Sequence, residues 1–371
     1  MGKTLQKSEI IYNQLWKTVA NNNQFFENGG EKMQGKSRTS ITMKDVASRA
    51  GVSVGTVSRV INNEKGIKKV TLKKVQEAIE ELNYIPDNYA RGLKTNKSNN
   101  IALIIPTIWH PFFSELAYYV EKELLKNHYK LLICNADGDA KNEIEYIQML
   151  EKNKVDGIIA VTYSDVDKYV SSSLPFVSFD RHFSENVSYV TSENYKGGQM
   201  AAEELLNRGA KQLAYIGSTN IHENETKQRE LGFCEKLISM GHSVLKLDMS
   251  EPLVEPEKQI EKFLLEHSTI DGIFAINDFM AIKVMKVMEK FGKKAPQDYQ
   301  IIGFDGLRNA ADQTYLLSTI AQPLDKIAQA SVKLLLQLIS KEKAVLSRVL
   351  LPVFFAEGGT TKKIQKSLDK K

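Results

Sequence analysis

The sequence predicts an α/β protein in two parts: a small three-helix head, then a two-lobed core of parallel sheets flanked by helices. Three observations predict it. Residues 42–62, TMKDVASRAGVSVGTVSRVIN, have the layout of a helix-turn-helix, and from Asn100 onward short β-like runs alternate with helical stretches. Charge divides at the same place. Residues 41–100 hold eleven Lys/Arg against six Asp/Glu, whereas residues 101–361 hold 28 against 35, so a head of net +5 precedes a body of net −7. A basic head suits contact with a phosphate backbone, and an acidic body does not.

Within the head, Thr42 can cap a first helix, with Asp45 three residues on as its reciprocal partner at the positive helix end. Gly51 then breaks the pattern. Ser53 can cap a second helix in which Val57, Val60 and Ile61 fall on one buried face, leaving Val54, Gly55, Thr56, Ser58, Arg59 and Asn62 opposite. In a helix-turn-helix the start of the second helix meets base edges, and Arg59 is the side chain there able to fork onto guanine. The same spacing also suits any αα-hairpin with a glycine turn. Thr71 opens a third helix with Leu72, Val75, Ile79 and Leu82 on one face, and Pro86 ends or restarts the chain beyond Tyr84 and Ile85.

In the body, IALIIP, YKLLICN, VDGIIAV, FVSFD, QLAYIG, IDGIFAIND and YQIIGFD read as strands, with PFFSELAYYVEKELLKN, EIEYIQMLEKN and KGGQMAAEELLNRG among the helices between them. Such a pattern makes two α/β lobes, with a ligand at strand C-terminal ends. The strand ends carry His110, Phe112 and Phe113, then Asp180 and Arg181, then Asn277 and Asp278, then Asp305. Carboxylates and amides pair with hydroxyls, arginine donates as a fork, and aromatic faces cover the C–H side of a sugar ring. Each residue also has a structural reading: Phe112 and Phe113 as core, Asp278 as a helix cap.

Composition narrows the class further. A chain of 371 residues is two or three ordinary domains, and its two cysteines, Cys134 and Cys234, lie in apolar surroundings that suit reduced thiols. No apolar run reaches the roughly 18 to 20 residues that span a bilayer, and the N-terminus lacks a signal-peptide stretch. A cytoplasmic protein is expected. There is no P-loop, no His/Cys metal spacing and no nucleophile elbow, so the expectation is a non-enzyme without cofactor or metal.

Between head and body stands LNYIPDNYARGLK, and with it the chain resembles the LacI/GalR family of bacterial repressors. The resemblance implies a helix-turn-helix domain at 41–85, a hinge helix and linker at 86–97, and a core at 98–361 similar to periplasmic sugar-binding proteins. It implies DNA contacts at Thr42, Ser53, Tyr84, Asn88 and Ala90, and a pair at Leu93 and Lys94 that enters the minor groove, the leucine wedging between base steps. Gly92 costs that hinge about 1 kcal/mol relative to alanine, so it is expected to fold only on DNA. One lobe would take 98–192 with 322–351, the other 193–321 with 352–361. The chain would then cross three times.

The segments PFF, FDR, RELGF, FAIND, GFDG and STIAQ occur in the order of the ligand-contacting segments of ribose-binding periplasmic proteins. Carried over by position, this implicates Phe112, Phe113, Asp180, Arg181, Arg229, Asn277, Asp305 and Gln322. His110 stands where asparagine is usual, and it is expected to titrate near neutrality. A second aromatic expected at 249–256 is absent, with Leu253 and Val254 as apolar substitutes. The implied function is a homodimeric repressor of a carbohydrate operon, bound to a palindromic operator and released by a small sugar, ribose first. Fructose, sucrose or another sugar stays open, as does a phosphorylated carrier protein acting as corepressor. A sugar-binding transport protein or enzyme could share the core, since fold does not fix function. Small residues at Val54 and Gly55 shift discrimination toward Thr56, Ser58, Arg59 and the Leu93 wedge, which suits a flexible pyrimidine-purine step in the operator.

Residues 1–40 are polar with an Asn run, and the tail at 362–371 is basic; both read as solvated and the first as disordered. The run Gly30, Glu31, Lys32, Met33 can be encoded GGA GAA AAA ATG, a purine-rich ribosome-binding sequence before a start codon. Translation is therefore expected to begin at Met33. Intact mass of the natively expressed protein checks this: it should match a chain starting there, and a mass for all 371 residues overturns it.

Overall fold

The computed structural model describes residues 41–62, 64–84, 97–153, 155–170, 174–183, 187–220, 224–308, 310, 313–340 and 347–364. Residues 1–40 and the hinge positions Asn88, Ala90, Leu93 and Lys94 lie outside them. Two compact units divide at residues 87 and 88.

The head is three helices: α1 (Met43–Ala50), α2 (Val54–Ile61) and α3 (Lys69–Glu81). At the start of α1 the Asp45 carboxylate accepts from the Thr42 backbone N–H and hydroxyl, each at 2.7 Å, and these bonds hold its pKa below the usual value. Gly51 ends α1 with φ +67°, the left-handed conformation that glycine adopts without a Cβ penalty. Ser53 then caps α2 by accepting from the Thr56 N–H at 3.2 Å. Val46, Ala47, Ala50, Val57, Val60, Val75 and Ala78 form the core, with Leu72, Ile79 and Leu82 packed around it. The third helix begins at Lys69 rather than Thr71, because the backbone turns at Lys68, whose carbonyl already accepts from Leu72 N–H. Thr71 falls inside its first turn.

The second unit carries two six-stranded sheets. The first sheet has β1 (Asn100–Ile105), β2 (Lys130–Asn135), β3 (Gly157–Val161), β4 (Phe176–Phe179), β5 (Ser188–Ser192) and β11 (Arg348–Leu351), in the order β11-β5-β4-β3-β1-β2 and all parallel. The second has β6 (Leu213–Thr219), β7 (Val244–Ser250), β8 (Gly272–Ala275), β9 (Gln300–Asp305), β10 (Thr319–Ala321) and β12 (Phe354–Ala356). Its order, β12-β10-β9-β8-β6-β7, repeats that of the first, with β12 antiparallel to β10. In both, strand order reverses beside the first strand of the set, and that reversal opens a crevice at the strand C-terminal ends.

Helices cover both faces of these sheets, as parallel sheets require. On the first sheet α4 (Pro111–Lys126) and α10 (Leu324–Ile339) bury one face with Leu116, Val120, Ile327 and Leu335, and α5 (Ala140–Lys152) buries the other with Ile147 and Leu150. On the second, α6 (Asn194–Asn207), α7 (Lys227–Ser239), α8 (Pro256–Glu266) and α9 (Asp278–Lys290) close around Phe233, Phe274, Ile301 and Phe304. The chain passes between the lobes after β5, after β10 and after β11. Of the twelve strands among the described residues, the sequence reading named seven and passed over β5, β7, β10, β11 and β12. The missed strands are three residues long, or half-exposed at an edge, or rich in Ser and Thr, so each lacks the apolar run of four or more residues that marks a buried strand. None of the helices is long and apolar enough to cross a membrane, among the described residues.

One packing contact bears on the site. A Cβ added at Gly232 in α7 would lie 1.9 Å from the Tyr195 carbonyl oxygen of α6, and one at Gly198 would lie 2.1 Å from the Arg229 carbonyl. The two helices therefore meet backbone to backbone, which places Arg229 against Asn194. Neither backbone can step aside cheaply. Gly232→Ala should lower stability by about 1 to 3 kcal/mol in urea denaturation, and an unchanged midpoint would show that the helices can separate at no cost.

Candidate functional site

Strand ends from both lobes surround a cavity of about 210 Å³. Eight strands supply it. From the first lobe come His110, Phe112 and Phe113 after β1, Tyr163 after β3 and Asp180 after β4. From the second come Ser218 in β6, Glu251 after β7, Ile276 and Asn277 after β8, Asp305 at the end of β9 and Gln322 after β10. Asn224, Thr226 and Arg229, at and before the start of α7, complete the lining.

The centre of the site is ionic and buried. Arg229, 3% exposed, donates from Nε to Asn194 Oδ1 at 2.8 Å, and from Nη1 to the Ile276 carbonyl at 2.9 Å and to Asp305 Oδ1 at 3.2 Å. Its Nη2 stands 3.9 Å from Asp180 Oδ2, and the guanidinium lies 3.8 Å over the Phe304 ring. Thr191 donates to Asp180 at 2.6 Å, and Gln322 donates to Asp305 at 2.9 Å while accepting from Ser192 at 2.6 Å. Burial pushes both carboxyls above the usual range, and the Arg229 charge pulls both back. Each aspartate stands on backbone with positive φ, +57° at Asp180 and +110° at Asp305, a conformation that costs a non-glycine residue of order 1–3 kcal/mol.

His110 departs from the expectation of titration near neutrality. Its ring stacks on Phe279 of the other lobe at 4.2 Å and on Phe113 at 5.1 Å, and burial pushes its pKa down to about 4. It is therefore neutral at physiological pH, with Nδ1 buried and without a hydrogen-bond partner. Phe112 and Phe113 are both core and lining. Asn277 lines the cavity and caps α9, accepting from Met280 N–H at 2.8 Å. Asp278 does neither: it accepts from the Gly306 and Leu307 N–H groups at 3.0 and 2.7 Å, and burial holds its carboxyl well above the usual range.

Arg181 does not line the cavity. The turn that aims Asp180 inward sends the next side chain away, where it bonds the Ser164 carbonyl, pairs with Asp167 at 2.6 Å and covers the Phe183 ring at 4.7 Å. Sequence reasoning missed Tyr163, Ser218, Asn224, Thr226, Glu251 and Ile276. Tyr163 and Ile276 adjoin strands it had named, so applying its strand-end rule to every strand finds them; Glu251 follows a strand it had not recognised. Among the described residues no cluster of His, Cys, Asp and Glu could hold a metal ion. Cys134 and Cys234 are free and buried, and burial pushes each thiol up to about 11.

In the head, Val54, Gly55 and Arg59 are exposed on the outer face of α2, with Thr56, Ser58 and Asn62 half-buried beside them. Arg59 Nε donates to Glu64 at 3.0 Å, with both side chains half-exposed, an arrangement worth roughly 0.2–1 kcal/mol and easily exchanged. Tyr84 is buried in the head's core instead of being presented on its surface.

A capped helix-turn-helix followed by two matched α/β lobes around a polar cleft defines a DNA-binding regulator with a binding-protein core. Comparison with known proteins makes the class specific. Residues 98–358 match the model for periplasmic binding proteins and the sugar-binding domain of the LacI family, and residues 42–87 match that for bacterial regulatory proteins of the lacI family. The chain belongs to the LacI family. It is 38% identical to the sucrose operon repressor of Streptococcus mutans over 81% of this chain and 93% of that one. It is 36% identical to the ribose operon repressor of Halalkalibacterium halodurans over 86% and 97% respectively. In fold it matches the lac repressor dimer bound to operator and an anti-inducer, with TM-score 0.76 and 23% identity over 87% of this chain and 99% of that one. A LacI family regulator from Enterococcus faecium with bound ribose matches with TM-score 0.60 and 29% identity, over 72% and 100%.

The buried histidine has a measurable consequence. Between pH 6.5 and about 4 the unfolded chain takes up a proton that the folded chain refuses, so stability should fall as pH drops through that window and level off below it. Urea denaturation of wild type and His110→Asn should diverge across the window by up to roughly 3 kcal/mol. Parallel curves would place the ring in water.

Proposed function

We propose that the protein is a homodimeric repressor of a carbohydrate-utilisation operon, bound to a palindromic operator through two heads and released by a small sugar in the cleft, ribose first. The observation that carries this is the cleft: carboxylates, amides, a fixed guanidinium and phenylalanine faces converge on about 210 Å³. That is below the roughly 300–1,000 Å³ of clefts for drug-sized ligands, which favours one sugar ring over a disaccharide. The relatives named as ribose and sucrose operon repressors support the sugar class, and the ribose-bound regulator supports the pentose.

An apolar strip on the first lobe supports the dimer. Trp109 is 91% exposed, and the Ile108 N–H donates to Asn135 at 2.6 Å, tying this loop to the end of edge strand β2. Exposed Ile133 in β2 and exposed Tyr118 and Leu125 on α4 extend the strip, the kind of surface that a second copy covers. The lac repressor of similar fold is described as a dimer on operator.

Sugar can act only through different affinities for two arrangements of the lobes, one compatible with operator binding and one not. Contacts that such a change would exchange already span the cleft: His110 on Phe279, Arg308 with Glu115, and Tyr189 and Arg348 with Glu225. An operator selected from random duplexes, followed by anisotropy during titration with D-ribose, other pentoses, fructose and sucrose, tests the proposal. Ribose should weaken binding; if no sugar changes it, the sugar switch is refuted, and a sugar that tightens it is a corepressor. On the same duplexes Arg59→Ala should cost about 1 to 3 kcal/mol of discrimination at one guanine, whereas an equal loss on every sequence would mean a phosphate contact.

A further inference from the structure

We infer that Glu251 makes the cleft selective for an unphosphorylated, uncharged sugar, accepting hydroxyl hydrogens from it and repelling a phosphate ester. The inference rests on the sugar-cleft reading and specifies the ligand class. Resemblance leads to an aromatic side chain somewhere in residues 249–256, a surface that would stack on a ring without regard to charge. The structure instead puts a carboxylate on the cavity wall, on the residue following β7.

Among the described residues no cation bonds Glu251 directly. Its two hydrogen-bond donors, Ser218 Oγ at 2.8 Å and Asn220 Nδ2 at 2.9 Å, are neutral. Among the described lining residues Arg229 is the one guanidinium or ammonium, and it is already committed to Asp305, Asp180, Asn194 and the Ile276 carbonyl. His110, neutral for the reasons given above, adds no positive charge. Among the described lining residues three carboxylates therefore share one engaged cation around a small cavity. The Glu251 charge reaches across it: together with Asp180 and Asp305 it adds to the burial that raises the Tyr163 phenol on the opposite lobe.

Two consequences follow for a ligand. A phosphate brings about two negative charges toward these three carboxylates, where among the described lining residues no second ammonium or guanidinium offsets them, and at low effective dielectric that repulsion outweighs the partial charges of the helix N-termini at the cavity. A neutral sugar meets acceptors instead. A carboxylate has about four acceptor positions, of which Ser218 and Asn220 occupy two, so Glu251 can take hydrogens from sugar hydroxyls while Tyr163 keeps its own proton to donate.

Calorimetric titration of the full-length protein with D-ribose, sucrose, ribose 5-phosphate and sucrose 6-phosphate tests the inference, with wild type, Glu251→Gln and Glu251→Lys in parallel. Wild type should bind one of the two neutral sugars at least about tenfold more tightly than its own phosphate ester. Glu251→Gln, which keeps the shape and removes the charge, should shrink that ratio by about tenfold, and Glu251→Lys should shrink it further or invert it. Retained operator binding and an unchanged thermal midpoint certify that each variant is folded. A wild type that prefers the phosphate ester, or a ratio unmoved in both variants, overturns the role of Glu251 and leaves the sugar cleft standing. Binding of none of the four compounds, nor of fructose and the other pentoses in the same titration, overturns the sugar cleft itself, and this inference with it.

Discussion

A single guanidinium held between two carboxylates governs the second unit. Arg229 comes from one lobe and Asp180 from the other, while Asp305 stands beside them at the end of β9. Removing Arg229 leaves two buried carboxylates without their cation, an error that costs about 3–5 kcal/mol, so the three have to be placed together. Much of the local architecture serves that placement. The glycine contact between α6 and α7 brings Arg229 to Asn194, the left-handed backbone at two strand ends aims the aspartates, and Gln322 and Ser192 join two of the interlobe crossings to the same network. The group that lines the cavity thus also ties the lobes, and a ligand entering there would compete with the contacts that set their arrangement.

The head follows a different logic. Its core is small, and its stability rests on caps and a glycine turn: Thr42 with Asp45, Ser53 with Thr56, and Gly51 at positive φ. Its outer face is left weakly engaged. Arg59 is paired with Glu64 in solvent, a contact that is easily exchanged, and Val54 and Gly55 stand exposed on the same helix.

What could be read from the sequence divides along physical lines. The capped helices of the head and the seven apolar strands were legible because caps and buried parallel strands leave local signatures in residue type and spacing. The residues Phe112, Phe113, Asp180, Arg229, Asn277, Asp305 and Gln322 were legible through their segments, and they converge on one cavity. Properties that depend on tertiary surroundings were not. A histidine carries no sign in its sequence that Phe279, far along the chain, will cover it and keep it neutral. Arg181 adjoins Asp180, yet a single positive φ sends the two side chains to opposite sides. Glu251 was passed over because β7 alternates apolar with polar residues, Leu245, Leu247 and Met249 against Lys246, Asp248 and Ser250, where the reading sought continuous apolar runs.

The three crossings set an order of assembly. The first lobe opens with β1 at Asn100, but α10 and β11, which finish its sheet, come more than two hundred residues later, and β12 finishes the other lobe just after. On the ribosome the head can fold as soon as it emerges, while neither lobe has its full complement of strands until the chain is almost complete. The DNA-reading part of the molecule is therefore made long before the part that controls it. A nascent or prematurely terminated chain carries a head without a finished cleft, and the cleft is complete only once the last strands are released.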